Sequence, residues 1–151
     1  MTRIAICLAP IVLTGCWIGH DPNDASSSAY HYPRALAAYE QSGDAQEMCF
    51  AAGYIDYAHE NYDAVVPADE RKRKVVEHLE EGLRAADKQD ESDKVVCTVQ
   101  LRESLKGFGL LPRSEAMLEC VGLDNTDNPP EVVTFTEYEA CKRETGYDPL
   151  G

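Results

Sequence analysis

A chain of 151 residues with 27 acidic and 14 basic side chains carries a formal net charge of −13. That charge repels nucleic acid, whose binding needs a basic patch to release counterions, and it offers no electrostatic hold on anionic lipid. The length allows one domain with one modest core, and the apolar run Ile4 to Leu13, at about ten residues, is too short for a transmembrane helix, which needs roughly 20.

The run follows a single positive charge, Arg3, and leads through small residues into a cysteine. A basic start, a short apolar segment and a small-residue cleavage site are the parts of a secretory signal peptide. The stretch Leu13-Thr14-Gly15-Cys16 resembles the lipobox of bacterial lipoproteins, which reads Leu, small, small, Cys, and it matches at all four positions. The resemblance implies that residues 1–15 are a signal peptide cut before Cys16. It also implies that the Cys16 thiol carries a diacylglyceryl group and that the new amino terminus is acylated. Membrane attachment then rests on acyl chains. Each buried CH₂ contributes about 0.8 kcal/mol, so one chain holds marginally and two or three hold firmly. In the lipoprotein pattern an Asp after the lipid cysteine retains a protein at the inner membrane. Trp17 stands there, which implies a bacterial cell envelope location, on the outer membrane if the host is didermic.

Residues 16–32 read as the lipidated cysteine and a flexible tether. Asp21, Pro22, Asn23 and Asp24 precede Ser26, Ser27 and Ser28, a polar run with no apolar period. His20 and His31 read as solvated. Residues 33–151 read as one helical domain. A first helix is expected from Pro33 or Arg34 to Gln41, because proline suits a first helical turn, with Ser42-Gly43 ending it. A second starts at Asp44 as N-cap, with Glu47 three residues on. It carries Met48, Ala52, Ile55, His59 and Tyr62 on one face, with Cys49 at the border of that face. A third, capped by Asp69, has the stripe Val75, Val76, Leu79, Leu83 and Ala86. Its other face, Arg71 to Lys74 with Glu77, Glu80 and Glu81, reads as solvated with i, i+4 ion pairs. A fourth, capped by Ser92, carries Cys97, Leu101, Leu105 and Phe108 on one stripe. A fifth runs from Ser114 to Val121, with Gly122 as C-cap. Residues 123–134 form an acidic, proline-bearing loop. A sixth begins with Thr136 and Glu139 as a capping box and Phe135 as a staple, and Tyr147 to Gly151 is a tail.

No pattern of period two extends beyond four residues, so the fold class is all-α, with short turns that favour antiparallel helical hairpins. Of the six cysteines, Cys7 lies in the leader and Cys16 is the lipid site. The remaining four are Cys49, Cys97, Cys120 and Cys141. An exported chain meets an oxidising compartment, where an even count reads as disulfides, and four cysteines allow three pairings; four buried thiols are the alternative. Cys49–Cys97 is expected because the second and fourth helices are parallel neighbours in a hairpin stack. Cys120–Cys141 is expected because the two flank the longest loop. A zinc site is not expected, since no C-x₂-C pair is present.

The run Ala37 to Ala45, containing Gly43-Asp44-Ala45, together with Cys49, Ala52, Gly53 and Tyr54, resembles the Sel1-like variant of tetratricopeptide repeats. Those repeats place a Gly-Asp-Ala turn between helices and an Ala-Gly-Tyr step in the second. Val75 to Cys97 resembles a looser second unit with Gln89-Asp90-Glu91-Ser92 in place of that turn. The resemblance implies stacked helix pairs that present a face to other proteins. A second resemblance is to an EF-hand: Asp124, Thr126 and Asn128 lead to Glu137 as a closing ligand. Glu137 falls at position 14 rather than 12, and Pro129-Pro130 replaces the required Gly.

No catalytic residues are identified. The chain has no G-x-S-x-G elbow, no H-E-x-x-H and no phosphate-cradling loop. His59-Glu60 lacks a second histidine, Cys49 with His59 reads as disulfide or core rather than a thiol–imidazole pair, and Glu80-Glu81 read as exposed acids. No metal site and no cofactor are assigned. The expected function is a lipid-anchored cell-envelope protein acting as a protein-binding or scaffolding module; its partners are the membrane, through Cys16, and an envelope protein. Asp124, Asp127 and Glu131 on the loop are the expected contact residues. The alternative is a calcium-binding lipoprotein using the helix–loop–helix over residues 123–137.

Overall fold

The computed structural model describes residues 23–60, 65–125 and 131–151. The lipobox with Cys16, residues 17–22 of the expected tether, Tyr62 and the loop tip 126–130 lie outside the described residues. Within them the chain is all-helical and stapled by two disulfides. The helices are α1 (Ser28–Ser42), α2 (Ala45–Glu60), α3 (Arg71–Ala86), α4 (Glu91–Leu105), α5 (Glu115–Cys120) and α6 (Phe135–Thr145), with no strand among the described residues.

Helix α1 begins five residues before Pro33, so the last part of the expected tether is helix. Ser27 is its N-cap, with Oγ accepting from Tyr30 N–H at 3.2 Å. Asp24 folds the chain into that cap: its Oδ1 accepts from Ser26 N–H, and its carbonyl accepts from Ser27 N–H. Pro33 removes one amide donor from the helix. The turn holds because Tyr32 and Ala35 are buried in the core and Arg34 donates to Tyr30 O at 2.6 Å. Gly43, at φ +69°, closes α1 in the left-handed conformation that costs glycine little. Asp44 Oδ1 then accepts from Gln46 N–H, starting α2 where expected.

The first four helices form two hairpins laid side by side. Helices α2 and α4 run parallel. Gln46 donates to Asp93, Cys49 is bonded to Cys97, and farther along Ser104 Oγ donates to Asp56. The two hairpin turns are tied by one side chain. Gln89, between α3 and α4, accepts from Ala45 N–H at 2.9 Å and donates to Gly43 O. Alanines and Cys49 make the buried face of α2 shallow, which lets α3 approach closely at Gly82. A Cβ added at Gly82 would overlap Cys49 Sγ and come within 3.3 Å of Ala45 O. Cys49 thus lies at the centre of the buried face, not at its border, while His59, expected on that face, is exposed.

Helix α4 starts at Glu91, with Asp90 rather than Ser92 at the N-cap, and stops at Leu105. Gly107, at φ +76°, turns the chain. Phe108, expected on the buried stripe, is therefore 59 % exposed, and Leu111 fills the core in its place. The cap of α3 is Glu70, one residue after Asp69, and makes no side-chain hydrogen bond.

The C-terminal arm, α5 and α6, packs against this four-helix unit. Ser114, expected to begin the fifth helix, is its N-cap, with Oγ accepting from Met117 N–H. The capping box of α6 is Thr134 with Glu137, two residues before the expected pair. The sequence offers both boxes, and burial selects the first: Val133 is buried and donates its N–H to Thr98 Oγ1 at 3.0 Å, which fixes where the chain turns into the helix. Cys120–Cys141 joins α5 to α6 with Cα atoms 5.7 Å apart; the corresponding distance for Cys49–Cys97 is 5.3 Å. Glu80, expected to be a solvated acid, is half-buried and accepts from Lys142 Nζ at 2.7 Å and Tyr138 O–H at 3.3 Å, fastening α6 to α3. The tail folds back, with Tyr147 O–H donating to Pro112 O.

Candidate functional site

The face of α2 opposite its alanines carries Phe50, Gly53, Tyr54 and Tyr57 at i, i+3, i+4 and i+7, which puts them on one stripe. Phe50 and Tyr57 are among the most exposed large apolar side chains described, at 40 % and 57 %. The first turn of α1 walls one end of the stripe. His31 stacks on Tyr54 at 5.2 Å between ring centroids, 16° from parallel, and its Nε2 is 2.8 Å from Ala25 O. The opposite wall is Gln100 of α4. Together with Ser26, Ser27 and Ser28 these residues enclose a cleft of about 360 Å³. No Asp, Glu, Lys or Arg lines it.

Two features of the cleft follow from single residues. Gly53 costs a helix interior roughly 1 kcal/mol relative to Ala. Here it admits the Gln100 side chain, whose Oε1 lies 2.6 Å from where a Cβ would stand. Ser28, at the start of α1, is 3 % exposed, and its Oγ has no hydrogen-bond partner among the described residues. A smaller depression of about 140 Å³ continues the cleft across Gly53, Tyr57 and Gln100 to Ser104 and Phe108. Its floor is Asp56, buried, with Oδ1 accepting from Leu110 N–H at 2.9 Å. That bond holds the turn that carries Phe108.

A second depression, on α3, holds His78. Its Nε2 is 2.9 Å from Tyr32 O–H, in the protein interior. Burial, reinforced by the Lys74 charge and opposed by Glu77, lowers the imidazole to about 4, so it is neutral at pH 7 and the tyrosine donates. Glu81 accepts from Tyr39 O–H at 2.7 Å and from Arg84. Burial and that hydrogen bond push Tyr39 up to about 12. These groups are engaged with one another, and the set serves to join α1 to α3.

The sequence-derived sites distribute as follows. Cys16 and Asp127 lie outside the described residues. Cys49, Cys97, Cys120 and Cys141 are all in disulfides, so Cys49 offers no thiol to His59. Asp124 and Glu131 are exposed. Glu137, the closing position of the calcium-loop resemblance, accepts from Thr134 N–H and Oγ1–H through Oε2, and those donors hold its carboxyl below the usual range. Among the described residues no three His, Cys, Asp or Glu side chains are grouped to hold a metal, and no helix is long and apolar enough to cross a membrane. The residues that sequence reasoning missed are Ser28, His31, Phe50, Tyr57 and Gln100. The signal was present for Phe50 and Tyr57: an aromatic stripe facing away from an alanine–cysteine stripe on the same helix has no core to enter. No family model matches the chain, and searches of curated proteins and of solved structures give no match.

Proposed function

We propose that this chain is a lipid-anchored binding module of the bacterial cell envelope, held by acyl chains on Cys16, which captures its ligand in the cleft on α2. The observation that carries the reading is the set of exposed rings, Phe50 and Tyr57 foremost, around a concave site on a disulfide-stapled scaffold. Binding sites are typically concave and mostly apolar with a few placed polar groups, and the cleft fits that description better than the acidic loop does. The two disulfides support an oxidising location, and the four matched lipobox positions support the anchor. The Gly43-Asp44-Ala45 turn joining α1 to α2 supports kinship with Sel1-like units.

Two measurements test the reading. Cys16→Ser is expected to abolish palmitate labelling and release the protein from membranes; retention in the detergent phase would sink the anchor. A photoreactive group at Tyr57 is expected to cross-link an envelope component in intact cells, while the same group at Arg73, on the outer face of α3, does not. Equal labelling from both positions would remove the cleft from the function.

A further inference from the structure

We propose that the cleft over Gly53 binds a short neutral glycan, with one pyranose ring against the Tyr54 and Tyr57 side chains and a ligand hydroxyl or acetamido group on Ser28 Oγ. The proposal rests on the cleft being the binding site and adds the class of its ligand.

Charge selects first. In a chain of net charge −13, no Asp, Glu, Lys or Arg lines the cleft. An anion would meet the field of an acidic chain with no Lys or Arg in the lining, and a cation would find the carboxylates of the adjoining depression already engaged, Asp56 by Leu110 N–H and Glu103 by Arg102. The ligand is therefore neutral.

Shape and polarity select next. Aromatic faces carry a negative quadrupole, and a pyranose ring offers a face of partly positive C–H groups with hydroxyls around its edge. Phe50, Tyr54 and Tyr57 supply the faces. Ser28 Oγ and the Gln100 amide supply hydrogen bonds toward the edge. A purely apolar occupant, such as a hydrocarbon or aliphatic side chain, would fill the rings but offer no bond to Ser28 Oγ or to the Gln100 amide, whose Nε2 donates to Ser104 Oγ at a long 3.4 Å, and covering polar groups without bonding them is costly. Ser28 bears that cost already in the free protein: it is 3 % exposed and unpaired among the described residues. A ligand hydroxyl relieves it once the Ser28 side chain rotates toward the cleft that it lines.

Length selects last. The volume of about 360 Å³ falls at the low end of small-molecule sites, about 300–1,000 Å³. The adjoining depression shares Gly53, Tyr57 and Gln100 and ends at the exposed ring of Phe108. A second sugar unit fits that continuation, so the ligand is an oligosaccharide rather than a single sugar.

The test uses the purified full chain in detergent, with tyrosine rings and side-chain amides labelled for nuclear magnetic resonance. The probes are a glucose tetramer, an N-acetylglucosamine tetramer, a tetramer of galacturonic acid and a blocked neutral peptide of Phe and Leu. At least one neutral tetramer is expected to shift the Tyr54, Tyr57 and Gln100 signals, and the carboxylated tetramer and the peptide are not. Ser28→Ala removes a hydroxyl that has no hydrogen-bond partner among the described residues, so the melting temperature should hold or rise while sugar affinity falls about tenfold. Tyr57→Ala, at a 57 % exposed position, should weaken binding similarly without unfolding the chain. The proposal is overturned if neither neutral tetramer shifts these signals, if the acidic tetramer binds as well, or if the peptide binds in their place. It is also overturned if both variants bind sugar like the parent. None of those results touches palmitate labelling or the Tyr57 cross-link, so this failure is distinguishable from failure of the anchored-module reading.

Discussion

The four-helix unit and the C-terminal arm each carry one disulfide, and the two bonds do different things. Cys49–Cys97 lies at full burial between α2 and α4, two 15- to 16-residue helices that also meet through Gln46, Gln89 and Ser104. It reinforces a contact that packing already makes. Cys120–Cys141 holds α5, which has only six residues. A single isolated turn or two of helix is unstable in water, so α5 depends on its bridge to α6 and on Met117 and Leu118, which enter the same core as the four-helix unit. One unit is a core that happens to be cross-linked. The other is a short arm that the cross-link joins to itself and whose apolar residues complete the edge of the same core.

The largest expected effect is the loss of the first bridge. Cys49→Ser with Cys97→Ser should cost about 4 kcal/mol in the chain-entropy account, seen as a single cooperative shift in urea unfolding. Removing the second bridge by Cys120→Ser with Cys141→Ser costs about 3 kcal/mol in the same account, but the loss should be local. Amide exchange is expected to speed up in α5, α6 and the tail while α1 to α4 keep their protection. Uniform acceleration throughout would erase the distinction between the two regions.

A smaller effect sharpens the comparison from the other side, since it belongs to the four-helix unit alone. Buried His78 has a folded-state value of about 4 against an ordinary 6.5, so the unfolded chain takes up its proton first as pH falls. The stability tied to neutral His78 is complete above about pH 6.5 and is lost progressively down to about 4. The expected loss is roughly 2 kcal/mol, discounted because the imidazole borders an open depression. His78→Gln keeps an acceptor for Tyr32 and should flatten the urea midpoint between those pH values; an unchanged slope would assign the acid sensitivity elsewhere. The smallest effect lies in the arm. Thr134→Ala breaks the α6 capping box at a cost of about 1 kcal/mol, and calorimetry should show it additive with the first-bridge loss and non-additive with the second.

Much of the helical architecture was legible because α3 and α4 keep apolar residues three and four apart, and because Gly43, Ser114 and Gly146 punctuate the chain where the rules for caps place them. The parallel placement of α2 and α4 was legible from hairpin topology. What was not legible depended on tertiary choice. The serines at 26–28 have linker composition, and only the packing of Tyr32 and Ala35 turns one of them into a cap. Thr134 and Thr136 open equally good capping boxes, and buried Val133 decides between them. Phe108 continues the periodicity of α4, but Gly107 bends the backbone before the pattern is honoured. The cleft was hidden for a related reason: its walls come from α1, α2 and α4, and a stripe on α2 says nothing by itself about what faces it.

The order of the cysteines along the chain has a consequence for how the molecule is made. After residue 16 each cysteine is bonded to the next one in sequence, Cys49 to Cys97 and then Cys120 to Cys141. A polypeptide threaded from its amino terminus into an oxidising space presents these thiols one at a time. In that order of arrival the first pair can close before Cys120 appears, which leaves the second pair without a free competitor. For a chain exported as proposed, plain sequential oxidation suffices for this connectivity, with no exchange among mismatched bonds required.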